Sequence, residues 1–262
     1  MKCIICNNKS DGITKIFSHK ILQKYEIEYN QCLQCGLIFT ETPYWLSEAY
    51  NDSISVRDTG ILRRNISYSM DVNIIITLLL KRNARQCSFL DYAGGFGIFT
   101  RMMRDLGWDF YWLDKYTENI LARGFEYCDQ KVSLVTLFEA FEHFEDPIFE
   151  LKNLLTYSDN ILFSTLIYDK KLQAKDKDWW YYSFDTGQHI VFYSKVTLDY
   201  MAKQFNLEYY CFNEGLHLFS KHKFNAGIMR FTFIHKILKY ILWQKSMKKS
   251  LASSDMHKIP ND

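Results

Sequence analysis

The sequence predicts an α/β protein with a small metal-binding module ahead of its central sheet. Three observations carry this prediction: apolar strand-like and helix-like segments alternate from residue 88 onward, a glycine-rich turn follows the first of these strands, and two CxxC pairs lie near the amino terminus. A chain of 262 residues has room for one catalytic-size domain and a small appendage.

The amino-terminal cysteines form two pairs of identical spacing. Cys3 and Cys6 enclose two residues, as do Cys32 and Cys35, and 25 residues separate the pairs. This spacing lets four thiolates face one ion, as tetrahedral zinc requires, whereas a redox CxxC would stand alone beside a βαβ unit. The segments between the pairs are β-branched and aromatic, and they predict two short strands. We expect structural Zn²⁺, because four sulfur ligands leave no open position for catalysis.

Strand-like and helix-like segments alternate through the middle of the chain. The apolar segments SFLDY, DFYWLDKY, SLVTLFEAF and NILFSTLI predict strands, while NIIITLLLKR, TRMMRDLG and DPIFELKNLL predict helices. Such alternation is typical of a parallel sheet covered on both faces. Ligands of these sheets bind at the carboxyl ends of the strands, which places the turn LDYAGGFG at the ligand crevice.

The glycine-rich turn discriminates between cofactors. A dinucleotide fingerprint needs a third glycine where this chain has Thr100. Asp91 precedes the glycines, and its charge would repel a pyrophosphate but attract an ammonium and a sulfonium. Asp114 ends the next strand, where an acid can accept hydrogen bonds from two ribose hydroxyls. Both acids favour S-adenosyl-L-methionine, although an acid at a strand end is also a common helix cap.

Three of these segments resemble motifs of the class I S-adenosylmethionine-dependent methyltransferases. They are residues 91–97 (DYAGGFG), Asp114, and residues 139–147 (EAFEHFEDP). The resemblance covers residues 44–215 and implies a Rossmann-like class I methyltransferase sheet. It implies cofactor contacts from Asp91, Ala93, Gly94, Gly95, Gly97, Asp114 and Glu139, with Ala93 standing where the family usually has its first glycine.

The zinc module followed by a methyltransferase domain further resembles bacterial enzymes encoded with cell-surface polysaccharide genes and the zinc-containing sugar C-methyltransferases. We therefore predict four segments: a zinc-binding module (1–43), a helical connector or lid (44–83), a methyltransferase domain (84–222) and a basic amphipathic tail (223–262).

Three residues are candidates for catalysis or substrate contact. A base helps methyl transfer to a hydroxyl or a carbon acid, and histidine is the usual one. His189 follows the aromatic run WWYY, in the region where such folds place a substrate-binding insertion. His143 lies in FEHFEDP, which the resemblance puts beside the methyl donor, and Tyr50 lies in the connector that family members close over their ligands. Gln188 replaces the glutamate that precedes the histidine in the sugar C-methyltransferases. Each candidate also has a structural interpretation, as a loop, turn or core residue.

The tail combines positive charge with helical periodicity. Residues 215–254 contain eight Lys or Arg and no Asp or Glu, and apolar side chains recur at helical spacing at Ile228, Phe231, Ile234, Ile237, Leu238, Ile241 and Leu242. Such a helix packs on its own protein or lies on an anionic membrane surface.

Composition limits the remaining choices. A net charge of +2 argues against nucleic-acid binding, since a nucleic-acid binder needs a basic face that replaces phosphate counterions. The amino terminus lacks the apolar core of a signal peptide. We expect a cytoplasmic enzyme, or one peripheral on the inner membrane face, that methylates a sugar or nucleotide-sugar for surface polysaccharide. The alternatives are O-methylation of another small molecule and a non-enzymatic zinc-knuckle interaction protein.

Overall fold

The computed structural model describes residues 2–50, 58–80, 84, 86–168, 178–225, 240–241, 243–245, 248–256 and 258. The chain forms two compact units. The first comprises residues 1–55, 139–156 and 163–221, and the second comprises residues 56–138, 157–162 and 222–262.

Within the described residues, the strands are β1 (Ile13–Ile21), β2 (Tyr25–Cys32), β3 (Ile38–Thr40), β4 (Ser88–Tyr92), β5 (Asp109–Leu113), β6 (Leu134–Leu137), β7 (Asn160–Ser164), β8 (Val191–Phe192), β9 (Glu208–Asn213) and β10 (Leu216–Ser220). The α-helices are α1 (Leu46–Ala49), α2 (Ile61–Leu80), α3 (Ile98–Asp105), α4 (Pro147–Tyr157), α5 (Lys195–Gln204) and α6 (Ala252–Met256).

The first unit carries the cysteine pairs on a small antiparallel sheet. β1 and β2 form the hairpin that the β-branched segments predict, and the strand order is β1-β2-β3-β8. Phe17 and Tyr29 stack with ring centroids 4.7 Å apart, so aromatic packing supports the hairpin. Gly36 adopts a φ of +75° in the turn after Cys35, a conformation that favours glycine.

The second unit contains the strands that lead to the glycine-rich turn. β4 pairs in parallel with β5 and with β6, and the order in this unit is β5-β4-β6-β7. β7 is divided, with Asn160–Leu162 in this unit and Phe163–Ser164 in the first. The predicted α/β sheet is therefore confirmed.

The sheet is mixed and not wholly parallel. In the first unit the order continues β7-β10-β9, and β9 pairs antiparallel with β10. Only Glu214 and Gly215 separate these two strands, whereas a parallel connection needs a crossover of a dozen or more residues. A short hairpin therefore reverses the chain at this edge.

The helices follow their local signals. Pro147 opens α4, and Asp146 Oδ1 accepts a hydrogen bond of 3.0 Å from Phe149 N, as the Asp-Pro start predicts. Ser194 caps α5 in a capping box with Thr197. The predicted strand SLVTLFEAF ends at Leu137, and residues Phe141–His143 form a 3₁₀ turn instead.

Part of the carboxyl-terminal tail packs on the second unit. Arg104 on α3 is fully buried and donates to both carboxylate oxygens of Asp255, over 2.7 and 2.8 Å. The Lys248 ammonium lies 3.4 Å from the centroid of the Trp108 ring. Among the apolar residues of the predicted amphipathic helix, Ile241 is exposed, and Ile228, Phe231, Ile234, Ile237, Leu238 and Leu242 lie outside the described residues. No helix in the described ranges has the length and apolarity needed to span a membrane.

Candidate functional site

The glycine-rich turn lies between β4 and α3, and close packing limits its side chains. A Cβ added at Gly94 would lie 2.7 Å from Trp112 Cδ1 and 2.9 Å from Asp91 Oδ2. At Gly97 it would lie 2.7 Å from Asn119 Oδ1, and the φ of +81° already disfavours a side chain there. The protein's own atoms therefore require glycine at both positions.

Ala93 shares the left-handed backbone of this turn. Its φ is +56°, close to the +54° of Gly95. An L-residue other than glycine in this region carries a steric cost between its Cβ and the following carbonyl. Ala93 therefore adopts a turn conformation that favours glycine, and its positive φ carries steric strain.

Asp91 lies beneath this turn and is only 2% exposed. Its Oδ2 accepts a hydrogen bond of 3.0 Å from Thr100, and its Oδ1 accepts one of 3.2 Å from Thr136. Burial raises the pKa of Asp91 to about 7, and the two hydroxyls act in the opposite direction. The carboxyl is thus a buried group whose charge responds to a nearby cation near neutral pH.

Asp114 organises the neighbouring turn after β5. Its Oδ2 accepts from Gly95 N at 2.9 Å, and its Oδ1 accepts from Tyr116 N at 2.7 Å and Thr117 N at 2.9 Å. A carboxylate has about four acceptor positions, so these three bonds leave one for a ligand hydroxyl. Trp112 Nε1 donates to Gly95 O at 2.8 Å, a contact that sequence reasoning missed.

The two acids and the glycines are therefore brought together at the carboxyl ends of two adjacent parallel strands. This is the edge at which open α/β sheets bind ligands.

The first unit brings together the three candidates for catalysis. His189 Nδ1 contacts Tyr181 O at 2.7 Å, and Tyr50 OH lies 3.0 Å from His143 Nδ1. The imidazole rings of His143 and His189 meet edge to face, with centroids 4.8 Å apart.

Hydrogen bonding determines the tautomer of His189. A carbonyl only accepts, so His189 Nδ1 carries the proton and its Nε2 keeps a lone pair in the neutral ring. Burial lowers the pKa of His189 to about 4 and that of His143 well below its usual value, with His189 adding to the second effect.

Glu142 completes this cluster, and sequence reasoning treated it only as part of a turn. Its side chain is fully buried, and among the described residues neither carboxyl oxygen has a hydrogen-bond partner. Burial raises its pKa to about 8, and the Glu139 charge adds to this. The hydroxyls of Tyr181 and Thr165 oppose the rise, although neither reaches hydrogen-bond geometry with the carboxyl. The segment FEHFEDP contains Glu142, but nothing in that local sequence indicates that its carboxyl is buried.

Glu139 bonds the Ser164 hydroxyl, and Gln188 holds a neighbouring backbone carbonyl. Glu139 N donates to Ser164 Oγ at 2.8 Å, and Ser164 Oγ donates back to Glu139 Oε1 at 2.9 Å. Gln188 Nε2 donates to Ala49 O at 2.8 Å, which ties the loop of His189 to the end of α1. Gln188 therefore positions its loop and does not act as an acid.

The aromatic run before His189 divides by exposure. Trp179, Tyr181 and Tyr182 are buried, whereas Trp180 is 74% exposed. Its indole lies edge to face with Tyr181, at a centroid distance of 5.5 Å. Only Trp180 therefore presents an open aromatic face.

The four amino-terminal cysteines lie together as their spacing predicts. All four sulfurs are within 4.8 Å of one another, with Cys3–Cys35 at 3.6 Å and Cys6–Cys32 at 3.5 Å. Tetrahedral zinc, with Zn–S bonds of about 2.3 Å, places its sulfurs about 3.8 Å apart. The donor set and its spacing fit this ion. The Cys35 hydrogen bond lowers the pKa of Cys3 to about 5 and favours a thiolate there.

Comparison with known proteins adds an independent finding. A family model described as a methyltransferase domain matches residues 63–211. A search of curated proteins found no match.

Among solved structures, the chain is similar to the plantazolicin methyltransferase BpumL, with 14% identity, a TM-score of 0.45, and coverage of 78% of this chain and 88% of that one. It is similar to the mitomycin 7-O-methyltransferase MmcR, with 12% identity, a TM-score of 0.43, and coverage of 67% and 59%. It is also similar to the magnesium protoporphyrin IX methyltransferase ChlM from Synechocystis PCC 6803, with 11% identity, a TM-score of 0.42, and coverage of 68% and 94%. The chain thus spans less than two thirds of the mitomycin enzyme's length.

Proposed function

The chain belongs to the methyltransferase-domain family, and on this premise we propose that its methyl acceptor is a sugar or nucleotide-sugar used in cell-surface polysaccharide biosynthesis. It is an S-adenosylmethionine-dependent methyltransferase, and this donor supplies an electrophilic methyl group on a sulfonium. The protein has to bind the donor, orient the acceptor and remove a proton where the acceptor atom carries one.

The buried Asp91 beneath the glycine-rich turn is the observation that carries the donor assignment. A pKa of about 7 means that a cationic ligand can draw this group into its ionised form at neutral pH. The remaining acceptor position on Asp114 suits a ribose hydroxyl, because its other three positions already bind backbone N–H groups. A pyrophosphate would gain nothing from either acid.

His189 is the group best suited to take a proton from the acceptor. Tyr181 O holds its Nδ1–H, so the Nε2 lone pair is oriented and available, and the lowered pKa keeps the ring neutral. His143 and Tyr50 position this ring: Tyr50 OH lies 3.0 Å from Nδ1 of His143, whose imidazole meets the His189 ring edge to face.

The exposed indole of Trp180 supports a sugar as the acceptor. Aromatic faces pack against the apolar face of a sugar ring, and Tyr181 connects Trp180 to the loop of His189. Zn²⁺ bound by Cys3, Cys6, Cys32 and Cys35 has a structural role in this proposal, because it holds the chain ends of the β1–β2 hairpin and has no open coordination position.

The direct experiment is mass spectrometry of nucleotide-sugars incubated with the full chain and isotopically labelled donor. A gain of one labelled methyl, abolished in His189→Gln and retained in the matched variant His222→Gln, supports the proposal. His222 is a suitable control because it is exposed and lies outside the cluster. Methylation of other small molecules in the absence of any nucleotide-sugar product would refute the acceptor assignment and leave the enzyme class intact.

A further inference from the structure

The cluster of Glu142, His143 and His189 has the composition of a metal site, separate from the four cysteines. Each side chain offers one ligand atom, and these atoms all lie within 4.8 Å of one another. Two imidazoles and a carboxylate are a donor set that first-row divalent metals favour. We propose that this cluster binds a divalent first-row metal ion.

The unsatisfied carboxyl of Glu142 is the first argument. Buried polar groups in native proteins are almost always hydrogen-bonded, and an unpaired buried carboxyl is costly. Both oxygens of Glu142 lack a hydrogen-bond partner among the described residues, and the side chain is fully buried. A cation in the cluster would satisfy these oxygens and remove that cost.

The orientation of His189 is the second argument. A metal-binding histidine commonly donates its other N–H to a backbone carbonyl, which fixes the ring and its tautomer. His189 does so through Nδ1 to Tyr181 O, which leaves its Nε2 for the ion. His143 offers one ring nitrogen to the same cluster.

Tyr50 marks the position of the ion at His143. Its hydroxyl lies 3.0 Å from His143 Nδ1, one of the two ring nitrogens that a metal could use. Ligand bonds of about 2.0 to 2.2 Å bring the donor atoms closer together than they lie here, so binding pulls the three side chains inward and displaces this hydroxyl. Three protein ligands leave at least one position open for an oxygen of water or substrate.

An ion here would change the chemistry of the acceptor, and this consequence rests on the proposed function. A hydroxyl bound to a divalent cation loses its proton more readily, because the cation lowers the pKa of that hydroxyl. With the ion bound, His189 would be a metal ligand in place of the proton acceptor proposed above, and the proton would pass to solvent. Binding of the ion itself requires neither donor nor acceptor.

For the test, the full chain is first loaded with one equivalent of Zn²⁺. It is then titrated with Mn²⁺ and, separately, with Co²⁺. Calorimetry is expected to show one further ion per chain, and Co²⁺ in this site is expected to lack the thiolate charge-transfer absorption of a cysteine site. Glu142→Gln and His189→Gln should each weaken Mn²⁺ binding by at least tenfold.

His217→Gln is the matched control. His217 is fully buried, with Nε2 2.9 Å from Thr165 O and Nδ1 2.9 Å from Tyr209 OH, but it lies outside the cluster, so binding should be unchanged. Magnetic resonance of bound Mn²⁺ should also show coupling to imidazole nitrogen, a readout that needs no variant. Absence of a second ion in the wild-type chain, or equal binding by the wild type and both cluster variants, overturns the proposal. Loss of methyl transfer with intact Mn²⁺ binding would instead count against the proposed function alone.

Discussion

Replacing Ala93 by glycine should stabilise the protein. The residue holds a φ of +56° in the turn after β4, where an L-residue with a Cβ pays about 1 to 2 kcal/mol. Glycine removes this cost but loses about 0.5 to 1 kcal/mol through the greater freedom of the unfolded chain. The balance is a gain of about 0.5 to 1 kcal/mol in the free energy of unfolding, or about 2 °C in Tm for a chain of this size.

Urea unfolding followed by tryptophan fluorescence measures this change, because Trp108 and Trp112 lie in the same unit as the turn. Ala140→Gly is the matched control. Ala140 has a φ of −140°, outside the left-handed region, so glycine there relieves no such strain and should cost about 0.5 to 1 kcal/mol.

The test depends on opposite signs: Ala93→Gly should raise the free energy of unfolding, and Ala140→Gly should lower it. If Ala93→Gly destabilises the protein as much as the control does, the left-handed strain at this turn is not a real cost and the reasoning fails. Affinity for the donor should stay within about twofold, because the turn keeps its backbone shape.

Four further predictions concern buried charge and the cysteines. Asp91 has a folded pKa of about 7, above its usual 3.8, so donor affinity should fall as the pH drops from 8 to 6, and calorimetry with Asp91→Asn should show weaker binding without this dependence. The same shift means that the folded chain holds a proton that the unfolded chain releases, so the contribution of Asp91 to stability decreases as the pH rises from about 4 to 7. Cys35→Ser should abolish stoichiometric zinc, measured by atomic absorption, and lower Tm. Asp255→Asn should cost about 3 kcal/mol in urea unfolding because the buried Arg104 guanidinium loses its fully buried carboxylate partner and keeps only the partly exposed Asp109, whereas Asp199→Asn in an exposed pair should cost less than about 1 kcal/mol.

Each of these has a contrary result. Unchanged pH dependence in Asp91→Asn would mean that another group controls donor binding. Full zinc content in Cys35→Ser would place the ion elsewhere. Equal effects of the Asp255 and Asp199 substitutions would show that burial of the first pair has no energetic consequence.

Local pattern was sufficient for most of the fold. The parallel strands β4 and β5, the start of α4 at Pro147 and the β1–β2 hairpin all follow from periodicity, β-propensity and capping within a few residues. The antiparallel β9–β10 edge was not predicted, although its two-residue connection at Glu214 and Gly215 is local. Its place beside β7 depends on a segment that is distant in the chain.

The sites divide in the same way. The cysteine spacing by itself predicted which four sulfurs meet, since the two pairs lie at the two chain ends of the β1–β2 hairpin, and the position of Asp91 before its glycines predicted the crevice that we propose for the donor. Tertiary structure alone decided that Tyr50, His143 and His189, up to 139 residues apart, meet around a buried Glu142. It also decided that Asp91 is enclosed by Thr100 and Thr136 and that Ala93 is strained. Burial, pKa and hydrogen-bond partners depend on which distant segments pack together, and no local pattern in the sequence encodes that packing.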